Sequence, residues 1–456
     1  MAQGSHAHPG TSHAHPGTYF TPARVLVLGF AGLITVGALL LTLPIASRTG
    51  TSLGLLDAYF TATSAVCVTG LVVVDTHDFF TPFGQVVILL LIESGALGFM
   101  TLSTILALVL GRRINLRERM LIQEAFNQYA LAGAVDLVRK VVYLTLSIQA
   151  VGAFLLAWRF VPQFGWGRGG FYSLFHAVSA FANAGFDLMG GFRSLTAYEG
   201  DWLVSLTVAG LIIMGGLGFT VLLDLGRKRS FHRLALHSKM VLVVTGVLIV
   251  AGTVLILLFE MFNPETMTGL GWGQRVLGAF FQSVTARTAG FNTLPIGGMY
   301  NATLFITIIL MFIGASPAST GGGVKTSTIG VLLATVYSTI KGRQEVVLFD
   351  RRLSADTTSR ALTVVVVSFL LVTGATVLLT FSEPFTFIRV LFEAVSAFGT
   401  VGLSTGITPE LSAAGRLFLI LLMFAGRVGP VTLAVALATQ ERPVWIRYPE
   451  EKVIVG

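Results

Sequence analysis

Four segments of this chain repeat one pattern, and that repetition constrains the fold more than any other feature. Aligned on a glycine, they read FTATSAVCVTG (Phe60 to Gly70), FHAVSAFANAG (Phe175 to Gly185), FFQSVTARTAG (Phe280 to Gly290) and FEAVSAFGTVG (Phe392 to Gly402). The glycines stand 115, 105 and 112 residues apart, so a unit of about 110 residues occurs four times. In each, a short apolar helix runs into a Gly-containing stretch. That is the layout of a re-entrant loop, whose irregular backbone is tolerated at membrane depth only where protein encloses it or water lines it. Four such loops around an axis make a ring of carbonyl oxygens, the arrangement by which filters replace an ion's hydration shell.

Composition agrees with a membrane setting. The chain has 456 residues, 54% hydrophobic and only 11% charged, where soluble domains carry about a quarter charged residues. Runs such as Val25 to Leu43, Val86 to Leu110, Leu203 to Leu225 and Val241 to Phe259 are long enough to cross a hydrocarbon core of about 30 Å. The net charge of +8 reflects topology rather than nucleic-acid binding. Of the 30 Lys and Arg, 20 fall in five segments: Arg24, Arg112 to Lys140, Arg227 to Lys239, Lys341 to Arg360 and Arg442 to Lys452. These follow every second predicted span. By the positive-inside asymmetry, both termini of this multi-pass protein of the cell membrane are expected in the cytoplasm. A single cysteine, Cys67, excludes an intrachain disulfide. The N-terminus repeats SHAHPGT twice (Ser5 to Thr18) and reads as a disordered tail, at most a weak metal binder.

Each repeat reads as span, short pore helix, glycine stretch, second span and basic segment. The expected fold is therefore an all-α polytopic membrane protein with eight spans and four pore helices, pseudo-fourfold around one pore. The boundaries read as 1–20 tail, 21–135, 136–234, 235–356 and 357–441 for the four repeats, and 442–456 as a cytoplasmic tail. First spans are expected near 22–45, 137–161, 236–262 and 358–382. Pore helices are expected near 54–67, 169–182, 271–286 and 386–398, and second spans near 80–110, 201–226, 301–340 and 413–438. A pore helix of about 13 residues is too short to cross the bilayer. Ending at mid-depth, it points its negative C-terminal dipole at a cation.

The second spans are rich in glycine: Gly95-Ala96-Leu97-Gly98, Gly215-Gly216-Leu217-Gly218 and Gly426-Arg427-Val428-Gly429-Pro430. The third carries Gly314, Ser316, Pro317, Ser319, Thr320, Gly321, Gly322 and Gly323 before Lys325 and Thr326. No helix runs comfortably through a proline and three glycines. The segment 314–323 is read as an intramembrane loop in the permeation path below the filter. It is not a phosphate-binding loop, which needs glycine where Val324 stands. Arg427 sits among apolar residues, at a depth where a charge is costly unless paired or facing water. Two roles are open to it: an electrostatic barrier beneath the filter, or a salt bridge to Glu93. Lys325 is read as an anchor or the partner of an acidic residue.

Together these residues resemble the Trk/Ktr/HKT superfamily of potassium transporters, over about residues 22–456. The shared features are four span–pore-loop–span repeats, one filter glycine per repeat and a glycine-broken third inner helix. Among them, the eight spans without a leading pair, the stretch from Gly314 to Thr326, Arg427 and the tail from Arg447 to Gly456 are most similar to the Ktr membrane subunits. The resemblance implies potassium uptake down the electrochemical gradient, with sodium as an activator. It also implies a homodimer with one pore per protomer and a KtrA-like cytoplasmic ring of RCK regulatory subunits. Any nucleotide site would lie on that ring, since nothing here matches a dinucleotide fingerprint. Asp187 and Arg287 are charged residues beside the pathway, and Arg287 is expected to point away from the axis.

The potassium filter is read as backbone chemistry. Cys67, Val68, Thr69 and Gly70 form its first strand, Ala182, Asn183, Ala184 and Gly185 its second. Arg287, Thr288, Ala289 and Gly290 form the third, and Gly399, Thr400, Val401 and Gly402 the fourth. Their side chains differ too much for fourfold coordination, whereas main-chain carbonyls can bind K+ alike. Glycine at the last position permits positive φ, and glycine in all four repeats fits potassium within the superfamily. The competing reading is a coupled secondary cation transporter with the broken helix as its binding site. Inverted repeats would be expected there, but these are parallel. No HExxH, Ser/His/Asp set or cysteine cluster supports an enzyme.

Overall fold

The computed structural model describes residues 22–98 and 134–437. The N-terminal tail, most of the basic segment from Arg112, the far end of the first repeat's second span and the C-terminal tail lie outside the described residues. Helices dominate the described chain. Among the described residues, the one departure from an all-α fold is a small hairpin between repeats 3 and 4. Val347–Leu348 pairs with Arg351–Arg352 through a two-residue turn, Phe349 and Asp350, with φ of 47° and 59°.

Each repeat begins with an outer helix: Pro22–Leu41, the first part of Ala134–Ala182, Leu236–Glu260 and Ala355–Ser382. Among the described residues these are the helices long and apolar enough to cross a membrane, and only 22–28% of the apolar stretch of each is buried. Side chains such as Val247, Val250, Leu370 and Phe381 face outward, so these helices form a wall suited to lipid. In the second repeat the outer helix and pore helix are one continuous element, broken at Gly165 (φ 80°, ψ 166°) just after Pro162. The other pore helices are Leu55–Val66, Trp272–Thr285 and Phe387–Gly399. Their C-terminal halves are almost wholly buried. Position and length match the sequence reading.

The inner helices depart from it. Only the third was expected to break, yet each inner helix that can be followed past its glycines is interrupted. In repeat 2, Trp202–Leu217 and Phe219–Lys228 meet at Gly218 with a bend of 98°. In repeat 4, Ala413–Val428 ends at Gly429 and Pro430–Leu437 follows. In repeat 1, Pro82–Leu97 ends at Gly98. Gly98, Gly218 and Gly429 have φ of 81°, 92° and 95°, a region hostile to L side chains. Three residues earlier stand Gly95, Gly215 and Gly426. A methyl there would overlap the carbonyl of Val66, Phe181 and Phe398, the ends of the respective pore helices. The G-x-x-G spacing is thus one device used three times: the first glycine admits the pore helix, the second turns the chain.

The starts of the inner helices are also fixed. Thr81, Asp201 and Ser412 accept from first-turn amides. The third inner helix, Asn301–Phe312, lacks its own cap. Glu260, fully buried at the end of the preceding outer helix, accepts from Tyr300 N at 3.0 Å and from Thr303 Oγ1 at 2.5 Å.

Candidate functional site

The four glycine strands close a ring. A methyl built on Gly185 would lie 2.8 Å from the Ala289 carbonyl oxygen, and one on Gly290 2.5 Å from that of Val401. On Gly70 it would overlap the Ala184 carbonyl, and on Gly402 the Thr69 carbonyl. Repeat 1 thus meets repeat 2, 2 meets 3, 3 meets 4, and 4 returns to 1. The carbonyl of the residue before each glycine abuts the next glycine round the circle, so no larger residue fits.

Backbone conformation repeats as well. Gly70, Gly185, Gly290 and Gly402 have φ of 91°, 69°, 83° and 90°. Val68, Asn183, Thr288 and Thr400, two residues earlier, are also left-handed, with φ of 51°, 58°, 73° and 50°. Alternating left-handed residues turn successive carbonyls toward one side of a strand. Such strain in non-glycine residues persists only where surroundings enforce it. Here pore-helix hydroxyls and carbonyls do so. Ser64 and Ser396 accept at Oγ from Gly70 N and Gly402 N, at 3.0 and 3.1 Å. Ser179 and Thr285 instead donate to the Phe186 and Phe291 carbonyls just beyond the ring, at 2.7 and 2.6 Å.

One turn before each hydroxyl stands another buried polar residue: Thr61, His176, Gln282 and Glu393. Glu393 holds the loop after the fourth strand, accepting from Thr405 N (3.2 Å), Thr408 Oγ1 (2.9 Å) and Ser404 Oγ. His176 Nε2 accepts from Leu188 N at 3.3 Å in the second repeat. Sequence reading missed this layer, although its residues stand in the aligned segments. The hydroxyl and its partner sit one residue closer to the glycine in repeat 3, which hides the correspondence.

On one side the ring opens into a cavity of about 610 Å³, lined by the four glycines together with Asp75, Asp187, Arg193 and Glu410. Asp187 therefore faces this vestibule, and its Oδ1 accepts from Met189 N at 2.9 Å. Arg287 points the other way. It is buried behind the third strand, and its Nη2 donates to Thr245 Oγ1 on the outer helix at 3.4 Å.

On the opposite side the ring is closed by the third inner helix's break, which runs from Ile313 to Lys325. Ile313 and Val324 form a bridge at its neck. Gly321 and Gly322 press so closely on Thr288 and Thr400 that a methyl on either would overlap those hydroxyls. Gly322 N donates to Thr400 Oγ1 at 3.0 Å, and Thr320 Oγ1 donates to the Phe181 carbonyl at 3.2 Å. Asn183 and Thr288 meet side chain to side chain at 3.1 Å. Ser316 N reaches the Gly216 carbonyl at 3.0 Å, and Ser316 Oγ meets Thr326 Oγ1 at 2.9 Å. Pro317 lies with Ala318 against the bend at Gly218. Gly314 and Gly323 pack on one another at the neck. The loop therefore lies directly against the third and fourth strands and the end of the second pore helix.

Two cations hold it. Lys325 Nζ donates to its own loop's carbonyls, Gly321 at 2.6 Å and Gly322 at 3.4 Å, not to an acidic residue. Arg427 donates through Nη1 to the Thr320 carbonyl and through Nη2 to the Gly95 carbonyl. It ties the loop to the ends of the first and fourth inner helices. The alternative of a salt bridge to Glu93 is overturned: Glu93 accepts from Gln149 Nε2 at 2.8 Å, and Arg427 is occupied by carbonyls.

Comparison with known proteins bears on this arrangement. The TrkH family profile, described as a cation transport protein, matches residues 26–445. The chain belongs to the TrkH cation transport family. It is 45% identical over 96% of its length to Ktr system potassium uptake protein B of Bacillus subtilis, covering 97% of that protein. It is 45% identical to the protein of the same name in Vibrio alginolyticus, over 95% of this chain and 94% of that one. Identity to the potassium/sodium uptake protein NtpJ of Enterococcus hirae is 39%, over 96% and 97%. The crystal structure of TrkH from Vibrio parahaemolyticus superposes with a TM-score of 0.74 at 17% identity, covering 94% of this chain and 87% of that one. As a member of the family, the chain is a multi-pass membrane transport protein and not an enzyme.

Proposed function

We propose that this protein takes up potassium across the cell membrane through the four-strand ring, with the loop 313–325 as its gate. The observation that carries the reading is the closed circle of glycines and carbonyls, which offers an ion main-chain oxygens at nearly equivalent positions. Carbonyls at these positions replace the hydration shell of K+, and the acidic residues of the vestibule attract cations to it. The names of the 45% identical relatives, potassium uptake proteins of a Ktr system, support potassium as cargo. The filter residues are those named from the sequence, acting through their backbones. The gate residues act through the Gly321–Gly322 contact with the filter and the clamps of Lys325 and Arg427.

The basic segments face the cytoplasm, as do both termini, and the vestibule faces outward. The functional unit is a homodimer with one pore per protomer. A KtrA-like RCK ring on the basic side regulates it and carries any nucleotide. Sodium activates transport, in keeping with the potassium/sodium name of one relative. The test is rubidium flux into liposomes holding the purified protein, with competing cations varied. Potassium should compete far better than sodium. Equal competition by both would reject the filter reading.

A further inference from the structure

Glu93, on the first inner helix, is used by neither ring nor loop. Its Oε2 accepts from Gln149 Nε2 at 2.8 Å, while its Oε1 is buried and has no partner. Gln149 lies on the second repeat's outer helix and is 3% exposed. One turn earlier on the same buried stripe is Thr145, 1% exposed, whose hydroxyl is also without a partner. One turn separates them by about 6 Å along the axis. Thr253, Thr307 and Thr376 each donate to the carbonyl four residues back. Thr145 makes no such bond.

Two unsatisfied oxygens thus lie along one seam between repeats 1 and 2, and no Lys, Arg or His pairs with Glu93 among the described residues. An ionisable group at membrane depth is costly unless neutralised. What both oxygens lack is a positive centre. A donor set of carboxylate and hydroxyl oxygens suits a hard cation rather than a soft one. One carboxylate is neutralised by one unit charge, which selects a monovalent ion over a divalent one.

We propose that Glu93 and Thr145, steadied by Gln149, form a binding site for a monovalent metal ion outside the conduction path, at the seam of the first two repeats. The site is separate from the ring and does not depend on the ring's selectivity. It lies two residues from Gly95, whose carbonyl Arg427 holds together with that of Thr320. An ion bound there stiffens the helix end on which the loop is clamped.

The test is thermal unfolding of the full-length protein in detergent, at constant potassium and ionic strength, with sodium chloride replacing choline chloride. The melting temperature of the wild type should rise with the logarithm of sodium concentration, as for any ligand of the folded state. Glu93→Gln and Thr145→Val should each lose that rise and keep the stabilisation seen in a separate potassium titration. Gly402→Ser should show the converse, losing the potassium response and keeping the sodium one, so failure of the filter reading is distinguishable. No sodium response in the wild type, or an unchanged response in both seam variants, would overturn the site. So would a wild type that responds to pH but not to sodium, which assigns a proton to Glu93. If Glu93→Gln does not fold, Thr145→Val decides alone, because valine keeps the shape of threonine.

Discussion

Repeats 1, 2 and 4 end their inner helices alike, and repeat 3 does not. Gly95/Gly98, Gly215/Gly218 and Gly426/Gly429 place the same two glycines at the same spacing, one against a pore helix and one at a positive φ. Repeat 3 replaces this short turn with thirteen residues from Ile313 to Lys325. Around the ring the four repeats are near copies in φ and in contact. Directly beneath it the symmetry is abandoned, and one repeat covers the others. Selecting an ion asks for equal oxygens on all sides. Blocking a path asks for one element that can move, which fourfold copies could not supply without colliding. This asymmetry supports the proposal of a gate beneath a filter.

Breaking the symmetric part should have the largest effect. Gly70→Ser or Gly290→Asp places a side chain against the neighbouring carbonyl, at a φ that side chains resist. Potassium flux per folded protein should fall about a hundredfold, corresponding to about 2.7 kcal/mol in barrier. Retained flux with retained selectivity in both variants would show that the ring is not the filter.

Loosening the asymmetric part should act the other way. Arg427→Ala removes two charge-assisted bonds to the Thr320 and Gly95 carbonyls and a fixed charge from the proposed cation path. Like charges several ångströms apart repel by about 1–4 kcal/mol at intermediate dielectric, so rubidium flux should rise about tenfold or more. Loss of assembly without any rise would make the arginine a structural tie only.

A smaller effect separates the repeats themselves. Ser396→Ala removes the hydroxyl that accepts from Gly402 N, whereas Thr285→Ala removes one that donates to the Phe291 carbonyl. A net hydrogen bond contributes about 1 kcal/mol. Selectivity should therefore slip a few-fold in Ser396→Ala and less in Thr285→Ala, read from cation competition. Equal slippage would mean that the hydroxyls support the strands without fixing the glycine.

The smallest effect lies at the vestibule rim. The hydrogen bond from His77, and then that from Gly191 N, hold the Asp78 carboxyl below its usual range. A depressed acid stabilises the fold above its unfolded pKa, and that stability is lost as pH falls through the folded value. The group is exposed, so the contribution is small. Asp78→Asn should leave the melting temperature near that of the wild type at neutral pH and flatten its decline only below about pH 4.

The repeated glycine segments made the ring legible in the sequence, and the proline with its triple glycine did the same for the loop. Glycine there reports a backbone that nothing else can adopt. The left-handed Val68, Asn183, Thr288 and Thr400 were not legible, because those residue types carry no such mark and are held by their surroundings. The breaks at Gly218 and Gly429 were printed in the sequence, but their meaning depends on the pore-helix carbonyls that the first glycine of each pair meets. Of the two roles open to Arg427, the salt bridge to Glu93 failed for a related reason. The guanidinium satisfies itself on two carbonyls freed by broken helices, which no sequence displays.

The most direct test joins the two halves of the comparison. Thr320 to Gly323 are deleted with and without Gly402→Ser, and rubidium flux per folded protein is measured in liposomes with competing cations. The account predicts that the deletion alone raises flux while keeping the preference for potassium over sodium, and that adding Gly402→Ser abolishes the gain. A folded deletion variant whose flux is unchanged or lost, or whose flux rises without preference and ignores Gly402→Ser, would contradict a fourfold filter closed by one asymmetric loop.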